Sequence, residues 1–147
     1  MIESLAAYEK LDPPDREARR RIVRDVFSRR RASLFVALHG GKHVGYALYF
    51  YTYSTFLARP TLYLEDLFVL EPYRRKGIGL ALFVRCVREA VKHDCGRMEW
   101  SVLTWNHSAM EFYESLGGAR LDDWCTYRLS PEKLAELAAR KDGEPER

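Results

Sequence analysis

The sequence predicts an α/β fold: a mixed sheet with helices on both of its faces. The order of segments is the first reason. Two helix-like stretches open the chain, a run of strand-like stretches follows, and strand and helix patterns then alternate. The second is a glycine-bearing junction, Glu71-Pro72-Tyr73-Arg74-Arg75-Lys76-Gly77-Ile78-Gly79, between an apolar strand-like run (62–70) and an amphipathic helix-like run (80–92). The third is size. The chain has 147 residues, enough for one domain that buries about 68–70% of its unfolded surface and needs no metal or disulfide to fold.

Each element has a local cause. Residues 1–11 read as part of a helix, stopped by Pro13-Pro14. A second helix starts near Asp15, with Ala18, Ile22, Val23, Val26 and Phe27 on one side and Arg16, Arg19, Arg20 and Arg24 on the other. Residues 33–38 form a strand, Gly40-Gly41 signals a hairpin, and the Tyr- and Phe-rich 44–53 forms the return strand. A loop over 54–61 leads to a strand over 62–69. Strict alternation there places Leu62, Leu64, Asp66 and Phe68 on one face, and Tyr63, Glu65, Leu67 and Val69 on the other, unless a bulge intervenes. The helix after the junction ends near His93, with Gly96 placed as its cap. A strand over 98–103 follows, then a short helix capped by Asn106 or Ser108 and stopped by Gly117-Gly118. A last strand is expected over 124–129. Ser130-Pro131-Glu132 opens a C-terminal helix. One domain is expected over 1–140, with residues 141–147 as a charged, frayed tail.

Composition narrows the function. Net charge is +3, with the arginines gathered over 16–31. Helix-face spacing and the lack of an accompanying aromatic pattern make these a solvated face rather than a nucleic-acid surface. No run approaches a membrane span, and the N-terminus has no signal-peptide pattern. Three widely spaced cysteines (Cys86, Cys95, Cys125) form no metal or redox motif and suit a reducing cytoplasm. The four histidines have no metal-ligand spacing, so no metal is expected.

The junction is where chemistry is expected. Glycines allow tight turning and close approach. A helix starting there aims unpaired N–H groups and the positive end of its dipole into the turn, which suits a phosphate or pyrophosphate. The junction alone is a weak signal, because no third glycine follows at dinucleotide-binding spacing.

Two motifs sharpen it. Arg74-Arg75-Lys76-Gly77-Ile78-Gly79 fits R/Q-x-x-G-x-G/A after a strand and before a helix. Further on, Asn106-His107-Ser108-Ala109-Met110-Glu111-Phe112-Tyr113-Glu114-Ser115-Leu116-Gly117 fits N-x-x-A-x-x-F-Y-x-x-x-G. In this order they resemble the GNAT superfamily of acyl-CoA-dependent N-acyltransferases, over nearly the whole chain. Tyr63-Leu64-Glu65-Asp66-Leu67-Phe68-Val69, Trp105-Asn106, Ala7-Tyr8-Glu9 and the strand from Gly45 to Tyr53 resemble its diamine (spermidine/spermine) and thialysine N-acetyltransferase branch.

The resemblance implies a mostly antiparallel, splayed sheet and acetyl-CoA as co-substrate. It implies a pyrophosphate cradle from Arg74, Arg75, Lys76, Gly77, Ile78 and Gly79. The pantetheine arm would pair with Leu67, Phe68 and Val69, and Asn106 and Tyr113 would also touch the cofactor. The acceptor is a primary amine of a small diamine, polyamine or lysine-like amino acid. Its ammonium, with a pKa near 10.4, costs roughly 4–5 kcal/mol to deprotonate at pH 7, so a base is needed; the family position is Glu65. Tyr113 matches the acid that protonates the departing thiolate. A backbone N–H near Phe68 would hold the oxyanion. Acidic and aromatic walls for the cation would come from Tyr8, Glu9, Glu65, Asp66, Trp105, Asp122, Asp123 and Trp124.

One departure stands out. Relatives place a strand before the first helix, whereas this sequence starts in that helix. Either the strand is absent or the true start lies upstream. A missing strand exposes a sheet edge that a second copy would cover, so a homodimer is expected. The alternatives are acetylation of a protein or peptide amine, or a catalytically silent CoA-binding regulatory module.

Overall fold

The computed structural model describes residues 1–140, so the tail expected over residues 141–147 lies outside the described residues. The chain forms two compact units, Met1–Leu103 and a second beginning at Thr104. The first contains helix α1 (Ile2–Glu9), helix α2 (Arg16–Val23, continued by a π-helical turn Arg24–Ser28), strands β1 (Ser33–His39), β2 (Lys42–Ser54) and β3 (Arg59–Val69), helix α3 (Ile78–Lys92) and strand β4 (Arg97–Trp100). The second contains helices α4 (His107–Ser115) and α5 (Pro131–Ala138).

The sheet has the order β1-β2-β3-β4. The first three strands are antiparallel and β4 joins β3 in parallel, so the sheet is mixed and mostly antiparallel, as the sequence implied. The β1–β2 hairpin turns on Gly40 and Gly41, both at positive φ, the conformation a two-residue hairpin needs. The β2–β3 connection is shorter than the predicted loop, because β3 starts at Arg59. α3 lays Leu82, Phe83, Cys86 and Ala90 onto the sheet. There they meet Leu62 and Leu64, which are among the most deeply buried side chains. The Phe83 ring stands edge-on to Trp100 at 5.4 Å.

Three local expectations are corrected. Strict alternation along β3 fails because the register slips. Leu48 pairs with Asp66 and Tyr49 with Leu64, so Glu65 is the extra residue of a β-bulge. Leu62, Leu64, Leu67 and Val69 therefore face α3, while Tyr63, Asp66 and Phe68 face the other way. Gly96 is not the cap of α3. Asp94 takes the left-handed conformation at φ 52, the Cys95 N–H returns to Ala90, and Gly96 donates to the Pro60 carbonyl at 2.9 Å. Residues 124–129 are not a strand. Their β-forming composition finds no ladder partner among the described residues, and Trp124 and Tyr127 stand 77% and 93% exposed. Strand propensity describes how well a segment fits a half-buried pleated surface and does not act alone.

Candidate active site

The site in the first unit begins where the sheet opens. Pairing between β3 and β4 ends at Leu64 with Trp100, yet β3 runs on to Val69. Residues 66–69 are thus paired on the β2 side only, and this is the splay that the resemblance implied.

The direction of each backbone group along this open edge follows from one bond. The Leu70 N–H donates to the Val44 carbonyl on β2. In a trans peptide the carbonyl points the opposite way, so the Val69 carbonyl faces the open side. Alternation then puts both backbone groups of Leu67 and of Val69 on the open side, and those of Phe68 toward β2. A β-carbon placed on Gly45 would lie 2.8 Å from the Phe68 carbonyl oxygen, consistent with that carbonyl facing β2. The donors available at the splay are therefore Leu67 and Val69, the two neighbours of Phe68.

The turn after β3 is built for close approach. Residues Glu71–Tyr73 form a 3-10 turn, Arg75 is left-handed at φ 60, and Gly77 caps α3 at φ 77. Only glycine adopts that last conformation at no cost. A β-carbon on Gly77 would meet nothing within 4 Å, and one on Gly79 only Val69 Cγ2 at 3.9 Å. The mouth of α3 is thus open, and the first turn of the helix aims its unpaired N–H groups outward there. This cradle fits a pyrophosphate, with residues 75–79 as its walls.

Arg74 departs from the simple cradle reading. Its Nε donates to the open-side Val69 carbonyl at 2.9 Å. Its guanidinium carbon lies 4.7 Å from the Tyr8 ring centre and 5.7 Å from that of Phe68. The side chain ties α1 to the end of β3 and takes up the last open-edge acceptor. It also occupies one face of Tyr8, a ring expected to face substrate. Arg75 and Lys76 are exposed, with Lys76 Nζ 5.3 Å from the Tyr73 ring centre. A cleft of about 470 Å³ lies between α1 and the end of β3, lined by Ser4, Ala7, Tyr8, Phe68, Leu70 and Arg74 among others.

The bulge decides the electrostatics. Glu65 is exposed. Asp66 is turned inward, where the Tyr46 hydroxyl donates to its Oδ2 at 3.2 Å. Burial pushes the Asp66 carboxyl up to about 6 against the Tyr46 hydrogen bond, which lowers it, and the negative charges of Glu65 and Glu9 push it further up. Glu9, half-buried on α1, is also raised by burial. Burial and the Asp66 charge raise the Tyr46 phenol well above its usual range, so it stays protonated and can only donate to that carboxylate. Sequence reasoning placed Asp66 in the substrate site and missed Tyr46. The available signal was the spacing of Leu62, Leu64, Leu67 and Val69, whose single three-residue step marks a bulge.

In the second unit, Asn106 caps α4 through its side chain, which accepts from the Ala109 N–H at 3.3 Å. Tyr113 lies on α4 with its ring 5.1 Å from that of Phe112. Trp105 precedes the cap and is 43% exposed. Asp122 is paired with Arg120 at 2.5 Å, and Asp123 and Trp124 are exposed. Among the described residues no cluster of His, Cys, Asp or Glu is placed to hold a metal.

The chain is similar to proteins already known. Over 152 residues the chain is 32% identical to a mouse thialysine N-epsilon-acetyltransferase, covering 95% of this chain and 89% of that one. It is 43% identical over 93 residues to an Arabidopsis thaliana L-ornithine N5-acetyltransferase, covering 63% of this chain and 41% of the relative. The structure of an integron cassette protein from the V. cholerae mobile metagenome superposes with a TM-score of 0.79 at 27% identity, covering 95% of this chain and 87% of that one. The model of the GNAT acetyltransferase family matches residues 2–118, and the chain belongs to that family.

Proposed function

We propose that this protein transfers an acetyl group from acetyl-CoA, the co-substrate of its family, to the primary amine of a small diamine, polyamine or lysine-like amino acid. The observation that carries this reading is the splayed end of β3, where acidic residues adjoin open backbone donors that lead directly into the helix-capped cradle.

Residues 75–79 and the first turn of α3 hold the pyrophosphate, and Leu67 and Val69 pair with the pantetheine arm. Acetyl-CoA supplies the acyl group as an activated thioester. The chain's own part is proton handling and orientation. Glu65 and Asp66 attract the ammonium, and one of them accepts its proton, directly or through water. Glu9 adds to the negative potential; Tyr8, Trp105, Asp122, Asp123 and Trp124 are the further candidates for the substrate's walls. Tyr113 returns a proton to the departing sulfur, and Asn106 holds α4 and contacts the cofactor. The protein works as a homodimer in the cytoplasm. The β1 edge, where Val36 and Leu38 are 41% and 63% exposed, supports the second copy.

The test has two stages. At about 100 times Kd, acetyl-CoA stabilises the folded chain by about 2.7 kcal/mol, read as a rise in Tm. Thiol release is then followed over a panel of diamines, polyamines, lysine analogues and peptides. Turnover confined to peptides overturns the small-amine reading. A Tm rise with no turnover anywhere leaves a silent CoA-binding module instead.

A further inference from the structure

We infer that Tyr46 is a positioning residue of the acetyl-transfer site, holding one oxygen of Asp66 so that Asp66, rather than Glu65, takes the proton of the incoming amine. The inference rests on the proposed amine acetylation and adds to it the identity and mounting of the base.

The geometry has three parts. First, the bulge at Glu65 turns Asp66 to the face of the sheet that carries Tyr46 and Phe68, while the Glu65 side chain stays exposed. A strand without the bulge would bury Asp66 against α3. Second, Tyr46 is fixed: it is 4% exposed, and its ring lies 6.2 Å from that of Phe68. Its hydroxyl therefore reaches Asp66 Oδ2 from a rigid mount. Third, the other carboxylate oxygen, Oδ1, accepts no hydrogen bond among the described residues. One oxygen is held and one is left for the substrate, on the stretch of β3 whose other edge is open.

The chemistry follows. An R–NH₃⁺ group loses a proton to Asp66 Oδ1; an N–H bond breaks, an O–H bond forms, and the pair becomes R–NH₂ and a neutral carboxylic acid. A carboxylate raised from 3.8 to about 6 makes that transfer roughly a hundredfold more favourable than an ordinary aspartate would. The charged and titratable groups facing Asp66 are Tyr46 from β2, Glu65 from its own strand and Glu9 from α1. The two carboxylates raise its proton affinity and the phenol lowers it. Arg74, the nearby cation, is turned to the Val69 carbonyl and the Tyr8 ring.

The test is the pH dependence of kcat/KM for the amine at saturating acetyl-CoA, measured on the full chain and on Tyr46→Phe, Asp66→Asn and Glu65→Gln. The acidic limb of the wild type should lie near pH 6. In Tyr46→Phe the ring and its packing remain, but the hydrogen bond that lowers Asp66 is gone. The limb should move to higher pH and kcat at pH 7 fall about tenfold, with the Tm rise from acetyl-CoA unchanged. Asp66→Asn should abolish the limb and cut kcat/KM about a hundredfold or more, whereas Glu65→Gln should keep the limb in place. A limb that stays put in Tyr46→Phe, or disappears in Glu65→Gln, overturns the inference. Carboxyl ¹³C NMR titration of Asp66 reads the pair without turnover. Titration near pH 6, moving upward in Tyr46→Phe, supports the mounting, and titration near 4 overturns it. If no amine is acetylated while acetyl-CoA still binds, the functional reading fails, and this titration alone decides the fate of the Tyr46–Asp66 pair.

Discussion

The two faces of the sheet are made from the same strands and do opposite work. Toward α3, Leu62, Leu64, Phe83, Cys86 and Ala90 exclude water, and burial pushes the Cys86 thiol up to about 11, which keeps it unreactive. Toward α1, the same β2 and β3 present Tyr46, Asp66 and Phe68, with Glu9, Tyr8 and Arg74 around them. One face gains stability by burying apolar surface; the other spends some of it to keep a carboxylate half out of water. The divider is a single extra residue, Glu65, in the β2–β3 register. A bulge beside a site re-aims a side chain in this way while leaving the apolar set of the strand in the core.

Substitutions on the two faces should therefore differ in sign. The largest effect is expected from Leu64→Ala on the α3 face, a loss of about 2–5 kcal/mol by transfer and cavity terms, read by denaturant unfolding. A loss below 1 kcal/mol would mean that the α3 face is far less tightly packed than described.

Next is Asp66→Asn on the α1 face, which should stabilise the protein at pH 7 while removing activity. The sign follows from linkage. Asp66 titrates at about 6 when folded and near 3.9 when unfolded. Between these values the folded state holds the extra proton, so stability falls as pH rises from about 4 to 6 and stays lower above. The loss is on the order of 2–3 kcal/mol. The asparagine variant should lack that decline in a pH series of Tm, and a parallel decline in both proteins would remove Asp66 as its source.

The cradle gives a smaller contrast. Gly77→Ala forces a side chain into φ 77 and should cost about 1–2 kcal/mol and weaken acetyl-CoA binding. Gly79→Ala meets only ordinary contact with Val69 and should change stability by less than about 0.5 kcal/mol. Equal effects on Tm and on cofactor Kd would deny that the turn, rather than the helix, sets the requirement.

The smallest stability effect should come from Leu38→Lys on the β1 edge, within about 0.5 kcal/mol for the isolated chain. Its readout is assembly. Light scattering should show a dimer turning to monomer, and a wild type that is already monomeric ends the dimer proposal.

Much of this was legible in advance. Apolar periodicity placed α2, α3 and the first three strands, and for α3 and those strands the apolar face is the buried one; the apolar side of α2 keeps Val23 and Phe27 exposed. Asp15, Asn106 and Ser130 announced their helices, since a cap acts within three residues of itself. Gly77 marked the cradle for the same local reason. The misses share a cause of another kind. Residues 124–129 have strand composition without a ladder partner among the described residues, and the left-handed turn after α3 falls at Asp94 while Gly96 sits close against Leu57 and Arg59.

By itself, then, the order of residues determined the family, the element order, the helix-capped cradle and the presence of an acidic pair on the strand before it. Each depends on spacing along one segment. Only the tertiary structure decided which acid turns inward, that Tyr46 holds it, and that Arg74 braces the Val69 carbonyl and the Tyr8 ring. Those outcomes depend on register between strands distant in sequence. A one-residue slip reverses the face of every side chain beyond it, and nothing within a single strand reports which partner residue it will meet.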